Sequence, residues 1–145
     1  FVVTTANQVS EETARMAPSN FRLCTYAPGS KLLEKCRAMI FHGGNGSMYQ
    51  ALAAGVPMLA LPSHQEQGLI TSFAVDRGYC IRMHARWFRT NALINNLREL
   101  IDNPKYREAA QRYSEDVRTT NGAANAADLF ERLARDAKPA GHALV

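Results

Sequence analysis

The sequence predicts an α/β fold, a Rossmann-like parallel sheet with flanking helices, on three observations. Five short apolar runs are bounded by Gly, Pro or polar residues, as strands are. Helical patterns just long enough for a crossover separate the later runs, and strand, helix, strand repeated this way gives parallel strands with right-handed connections. After residue 90 the periodicity is helical alone. A chain of 145 residues, 46% hydrophobic and 21% charged, can bury one core but hardly two. One domain is therefore expected over residues 1–137, followed by a tail at 138–145 that contains Pro139, Gly141 and His142.

The predicted strands are Phe1 to Thr5, Phe21 to Tyr26, Ala38 to His42, Pro57 to Leu61 and Tyr79 to Met83. Predicted crossover helices cover Ser30 to Arg37, Gly46 to Ala54 and Gln67 to Arg77. The polar segment Ala6 to Asn20, ending in Ala17-Pro18-Ser19-Asn20, predicts a surface loop with at most one helical turn. A helix begins at Thr90, a suitable N-cap, with Leu93, Ile94, Leu97, Leu100 and Ile101 along one stripe, and Asn103-Pro104 ends it. A second runs from Pro104 to Arg118 with Tyr106, Ala109, Ala110, Tyr113 and Val117 facing inward, and a third from Asn121 to Asp136.

Composition narrows the function. No run approaches the roughly 18 to 20 apolar residues of a membrane-spanning helix, and no basic-then-apolar leader opens the chain. Cys24, Cys36 and Cys80 are an odd number without a close pair, which fits a reducing cytoplasm better than a disulfide framework or a zinc site. The net charge of +4 arises from 17 basic residues scattered among 13 acidic ones, so a small anionic ligand accounts for it more readily than nucleic acid does. Phe1 is already in a strand pattern, and the chain reads as a piece of something longer.

The run that carries chemistry is Phe41-His42-Gly43-Gly44-Asn45-Gly46-Ser47, which leaves a strand, passes through three glycines and enters a helix. Glycines let backbone approach an anion closely, and the unpaired amides of a helix's first turn point at it with the positive end of the helix dipole behind them. His42 and Ser47 add side-chain donors. The same residues also fit a tight strand-to-helix turn in which Ser47 is a cap and no ligand binds. The next strand ends in Pro62-Ser63-His64-Gln65-Glu66-Gln67, and a parallel sheet brings both loops to its carboxyl edge. There Glu66 supplies an acceptor and Gln67 a mixed donor and acceptor, a combination suited to sugar hydroxyls. His64 reads as a solvated loop residue, and His84, among arginines at a strand end, as structural.

The segment from Tyr26 to Gln67 resembles the donor-binding signature of family 1 glycosyltransferases, nucleotide-sugar-dependent enzymes whose two facing Rossmann-like domains form the GT-B fold. Phe1 to Thr5 and Phe21 to Tyr26 are similar to the second and third strands of the C-terminal domain of that fold, and the three terminal helices to its closing helices. The resemblance implies that Tyr26 stacks on the nucleobase and backbone groups of Ala27 pair with its edge. It assigns the diphosphate to His42, Gly43, Gly44, Asn45, Gly46 and Ser47, the ribose to Gln50, and the donor sugar to Glu66 and Gln67. Three positions depart from the family pattern: Tyr26 stands where the family's usual residue is tryptophan, Gly29 where it has glutamine, and Gln50 where it commonly has glutamate.

The function so implied is sugar transfer, with inversion, from a UDP- or dTDP-sugar to a hydroxyl of a small-molecule or lipid acceptor. Neither a metal nor another cofactor is implied, since helix amides and a histidine stabilise the leaving diphosphate. The resembling enzymes carry their base in an N-terminal domain, so no catalytic base is expected in this chain. A non-catalytic or split donor-binding subunit is the alternative, and a sugar-nucleotide epimerase a more distant one. The family's first, central strand has no counterpart here. Either another polypeptide supplies it, two copies pair through the gap as a homo-oligomer, or the sheet re-forms in another order.

Overall fold

A computed structural model of the chain describes residues 1–84 and 89–136. The proposed tail at 138–145, with His142, lies outside the described residues, as does 137, the last position of the expected domain. Five strands and seven helices follow in the order β1 (Val2–Thr4), α1 (Glu11–Arg15), β2 (Arg22–Cys24), α2 (Gly29–Leu33), β3 (Met39–Phe41), α3 (Asn45–Ala53), β4 (Met58–Ala60), α4 (Gln65–Asp76), β5 (Cys80–Arg82), α5 (Thr90–Asp102), α6 (Pro104–Thr119) and α7 (Gly122–Asp136). Each expected strand is present but about one residue shorter at each end. No helix of the described residues is long and apolar enough to cross a membrane.

All pairings are parallel, as the crossover pattern requires, but the strands form two ladders instead of one: β1 with β2, and β3–β4–β5. The resemblance implies a further, central strand that has no counterpart among the described residues. In the larger ladder Met39 pairs with Met58, and Met58 with Cys80. Period-two alternation sends Met58 and Ala60 into one core with Met48, Ala51, Leu52, Ala74, Ala109 and Ala110, and Leu59 into another with Met83 and Leu100. The result is a three-layer arrangement in which α5 covers the face opposite α3, α4 and α6.

Segment 6–20 is loop apart from one short helical turn, as expected. Ala6 and Asn7 turn with positive φ, and Ser10 then caps the short helix α1 through Oγ, which accepts from Thr13 N at 3.2 Å. Polarity along the segment concealed this cap. At the other end of the chain α6 packs as its pattern predicts, with Ala109 and Ala110 buried and Tyr113 edge-on to Tyr79 at 5.5 Å between ring centres. Helix α7 has no buried residue; its Leu129, Phe130 and Leu133 are exposed.

Candidate functional site

Strand β3 delivers His42, Gly43 and Gly44 to the amino end of α3. Gly44 is the N-cap residue and offers no side chain to the helix, and the first intrahelical bond runs from Met48 N to Gly44 O at 3.1 Å. The amides of Asn45, Gly46 and Ser47 therefore precede the helical ladder. Ser47 does not cap them: α3 begins without a side-chain capping bond. The imidazole of His42 lies over this end, where a Cβ on residue 44 would come within 2.6 Å of Nε2. A side chain at residue 44 would displace the exposed ring from this place.

Gly43 does a different job. It is buried at φ +100°, and a Cβ there would meet Thr71 Cγ2 at 2.9 Å and Gln67 Cβ at 3.2 Å. The glycine turn is thus packed directly against the first turns of α4, which positions the two carboxyl-edge loops on each other. Thr71, fully buried, holds its place by donating through Oγ1 to Gln67 O at 2.7 Å. Arg82 at the end of β5 adds a bond from Nη1 to Gly68 O at 2.8 Å. Sequence reasoning missed Thr71; its only signal is the spacing of four from Gln67 on a helix.

Helix α4 likewise begins without a side-chain bond from its N-cap, His64, which is exposed. Glu66 is exposed in the first turn, a favourable place for a carboxylate beside the positive helix end. Gln67 is buried, and its Oε1 accepts from both Ser63 N at 2.9 Å and Ser63 Oγ at 3.1 Å. Gln50 lies beside Gly29, where a Cβ would collide with Gln50 Oε1. Two of the three positions that depart from the family pattern are therefore neighbours in space. Tyr26, at 80% exposure, stands free at the end of β2.

The geometry thus brings His42 beside Gly44 and Gln67 beside Gly43 in one strand-to-helix turn, with Ser47 in the first turn of α3 and Glu66 exposed in the first turn of α4. Gln50 joins Gly29 one helical turn further along α3. Two open grooves flank the turn, one between α3, α4 and α6 that includes Asn45 and Tyr49, the other between α2 and α3 that includes Ser30, Gln50 and Arg118. Neither groove is lined by His42, Gly44, Glu66 or Gln67.

A family model described as the C-terminal domain of erythromycin biosynthesis protein CIII-like proteins matches residues 1–133. The chain belongs to this family. The chain is similar to the 3-alpha-mycarosylerythronolide B desosaminyl transferase of Saccharopolyspora erythraea, at 26% identity over 133 residues, 92% of this chain and 32% of that protein. UDP-glucuronosyltransferase 2C1 of Oryctolagus cuniculus is a further relative, 33% identical over 106 residues, 72% of this chain and 21% of its own length. Among solved structures, the glycotransferase of kitacinnamycin superposes with a TM-score of 0.79 at 26% identity, covering 90% of this chain and 34% of the other. The fold is that of the C-terminal domain of GT-B glycosyltransferases. The chain spans about a fifth to a third of the length of these relatives.

Proposed function

We propose that this EryCIII-like domain binds the donor of an inverting glycosyltransferase, a UDP- or dTDP-sugar whose sugar passes to a hydroxyl of a small-molecule or lipid acceptor. The observation that carries the reading is the uncapped amino end of α3 with His42 laid over it. A diphosphate there accepts from the amides of Asn45 to Ser47 and from the imidazole, with the helix dipole behind them. These groups favour the departing diphosphate more than the bound sugar ester, because charge accumulates on it as the glycosidic bond breaks. Helix amides supply this stabilisation without a metal ion. In the same reading Tyr26 stacks on the base, Ala27 meets its edge through the backbone, Gln50 accepts from the ribose, and Glu66 and Gln67 hold the sugar. The base and the acceptor site belong to a partner domain outside these 145 residues, and three free cysteines favour a reducing, cytoplasmic setting.

Titration of the chain with UDP and dTDP, each with and without a chelator, tests the reading. Binding is expected in both conditions. His42→Ala should weaken it more than Ser47→Ala, since one neutral hydrogen bond contributes only about 0.5 to 1.5 kcal/mol net. Affinity that vanishes with the chelator overturns metal independence, and equal, negligible losses for the two variants overturn the assignment of this turn to phosphate.

A further inference from the structure

Gln67 is the third residue of α4, the position from which a Gln side chain commonly reaches back to the start of its own helix. Here it reaches one residue further, to Ser63. The bond fixes which end of the amide is which. A backbone N–H can only donate, so the atom 2.9 Å from Ser63 N is the oxygen, and the hydroxyl of Ser63, 3.1 Å from the same atom, donates to it as well. Both lone pairs of Oε1 are then occupied. Among the described residues the nitrogen, Nε2, has no hydrogen-bond partner and no buried side-chain nitrogen or oxygen is left unpartnered, so within the described part of the chain Nε2 is open to solvent. Packing holds the arrangement, because the stem of Gln67 is wedged against Gly43 and its carbonyl is bound by Thr71.

We infer that Ser63 is a positioning residue that gives Gln67 a single polarity, so that the ligand meets an N–H donor at Gln67 next to a carboxylate acceptor at Glu66. This rests on the donor-sugar reading of the Glu66-Gln67 pair and deepens it. The group recognised is a sugar hydroxyl that gives its proton to Glu66 and accepts from Nε2 of Gln67, or two adjacent hydroxyls that divide these roles. An amide free to flip would accept as readily as it donates and would leave that choice open. Ser63, locked to the amide by two bonds, removes the freedom before the ligand arrives.

The test uses UDP and UDP-glucose with the wild-type chain, Gln67→Glu, Ser63→Ala and Ser63→Thr, each checked for an unchanged melting temperature. Gln67→Glu keeps an oxygen for Ser63 but presents a second acceptor where the amide donated. It should lower UDP-glucose affinity about tenfold more than it lowers UDP affinity, the loss of one hydrogen bond with an unpaired acceptor left behind. Ser63→Ala should lower the UDP-glucose to UDP affinity ratio a fewfold, and Ser63→Thr should restore it. In the ligand-free chain, the side-chain amide proton signals of Gln67 should move on Ser63→Ala and return on Ser63→Thr. A wild-type chain that binds neither compound overturns the nucleotide reading and this inference with it. Binding of both compounds with a ratio that Gln67→Glu leaves intact overturns the inference alone, as do amide signals unmoved by Ser63→Ala.

Discussion

The two ladders of this chain are built from similar strands and end in different states. Met58, Leu59 and Ala60 of β4 are wholly buried, with a neighbour strand on each side and helices on both faces. In β1 and β2 no residue is buried, Phe1 and Val2 lie open, and the only aromatic stacking in the described part of that region is Phe1 on Phe21, at 4.7 Å. Short apolar runs therefore specify a strand in both places, but a strand becomes core only where helices and a second neighbour cover it. A two-stranded ladder alone is marginal in water. The site sits on the covered side of that divide: the glycine turn and α4 belong to the β3–β5 body, whereas Tyr26 hangs from the open one.

The largest expected departure is in mass. The edges of β1 and β3 each carry backbone groups with no strand partner, so the chain should associate with itself, and light scattering should report at least a doubling of mass; a stable monomer overturns this. Hydrogen exchange sharpens the comparison within one molecule. Amides of β4 should be protected at least about 1,000-fold more than those of β1 and β2, whose opening requires little loss of packing, and similar protection in both ladders would erase the contrast drawn above.

Substitution gives the next scale. Leu59→Ala, at a fully buried position, should cost about 3 kcal/mol, while Val3→Ala in half-buried β1 should cost under about 1 kcal/mol, read from denaturant midpoints at constant m. Arg107 on α6 donates to Gly55 O, Cys36 O and Arg37 O, fastening the end of α3 to the approach to β3. Its replacement by alanine should cost about 2 kcal/mol, since bonds from a charged donor are worth about 1.5 to 3 kcal/mol. A loss no larger than that of an exposed arginine such as Arg15 would show that the fastening is dispensable.

The smallest effect is a titration. Burial pushes the Cys80 thiol from 9.0 up to about 12, so the folded chain holds this proton more tightly than the unfolded chain. The stabilisation that follows is complete below about pH 9 and is lost as pH rises through about 12. Alkylation of the native chain near pH 8 should accordingly modify Cys24 and Cys36, both half-buried, well before Cys80. Equal rates at all three would mean that the core around β4 and β5 opens as easily as the β1–β2 ladder.

The sequence by itself determined the strand and helix types, the parallel pairing, the inward face of α6 and the glycine turn into α3, because each depends on local periodicity or on residues within one turn. It also located α7, whose amphipathic pattern is plain although nothing in the described chain covers it. Only the tertiary structure decided that the strands divide into two ladders, since a pairing partner at long range leaves no local trace. The same holds for Gly43 seated on Thr71, His42 over Gly44 and Gln50 beside Gly29. Gln67 makes the distinction sharpest: its identity named a donor and an acceptor, and only the position of Ser63 determined which of the two remains for a ligand, because a backbone N–H accepts no bond and so compels the oxygen to face it.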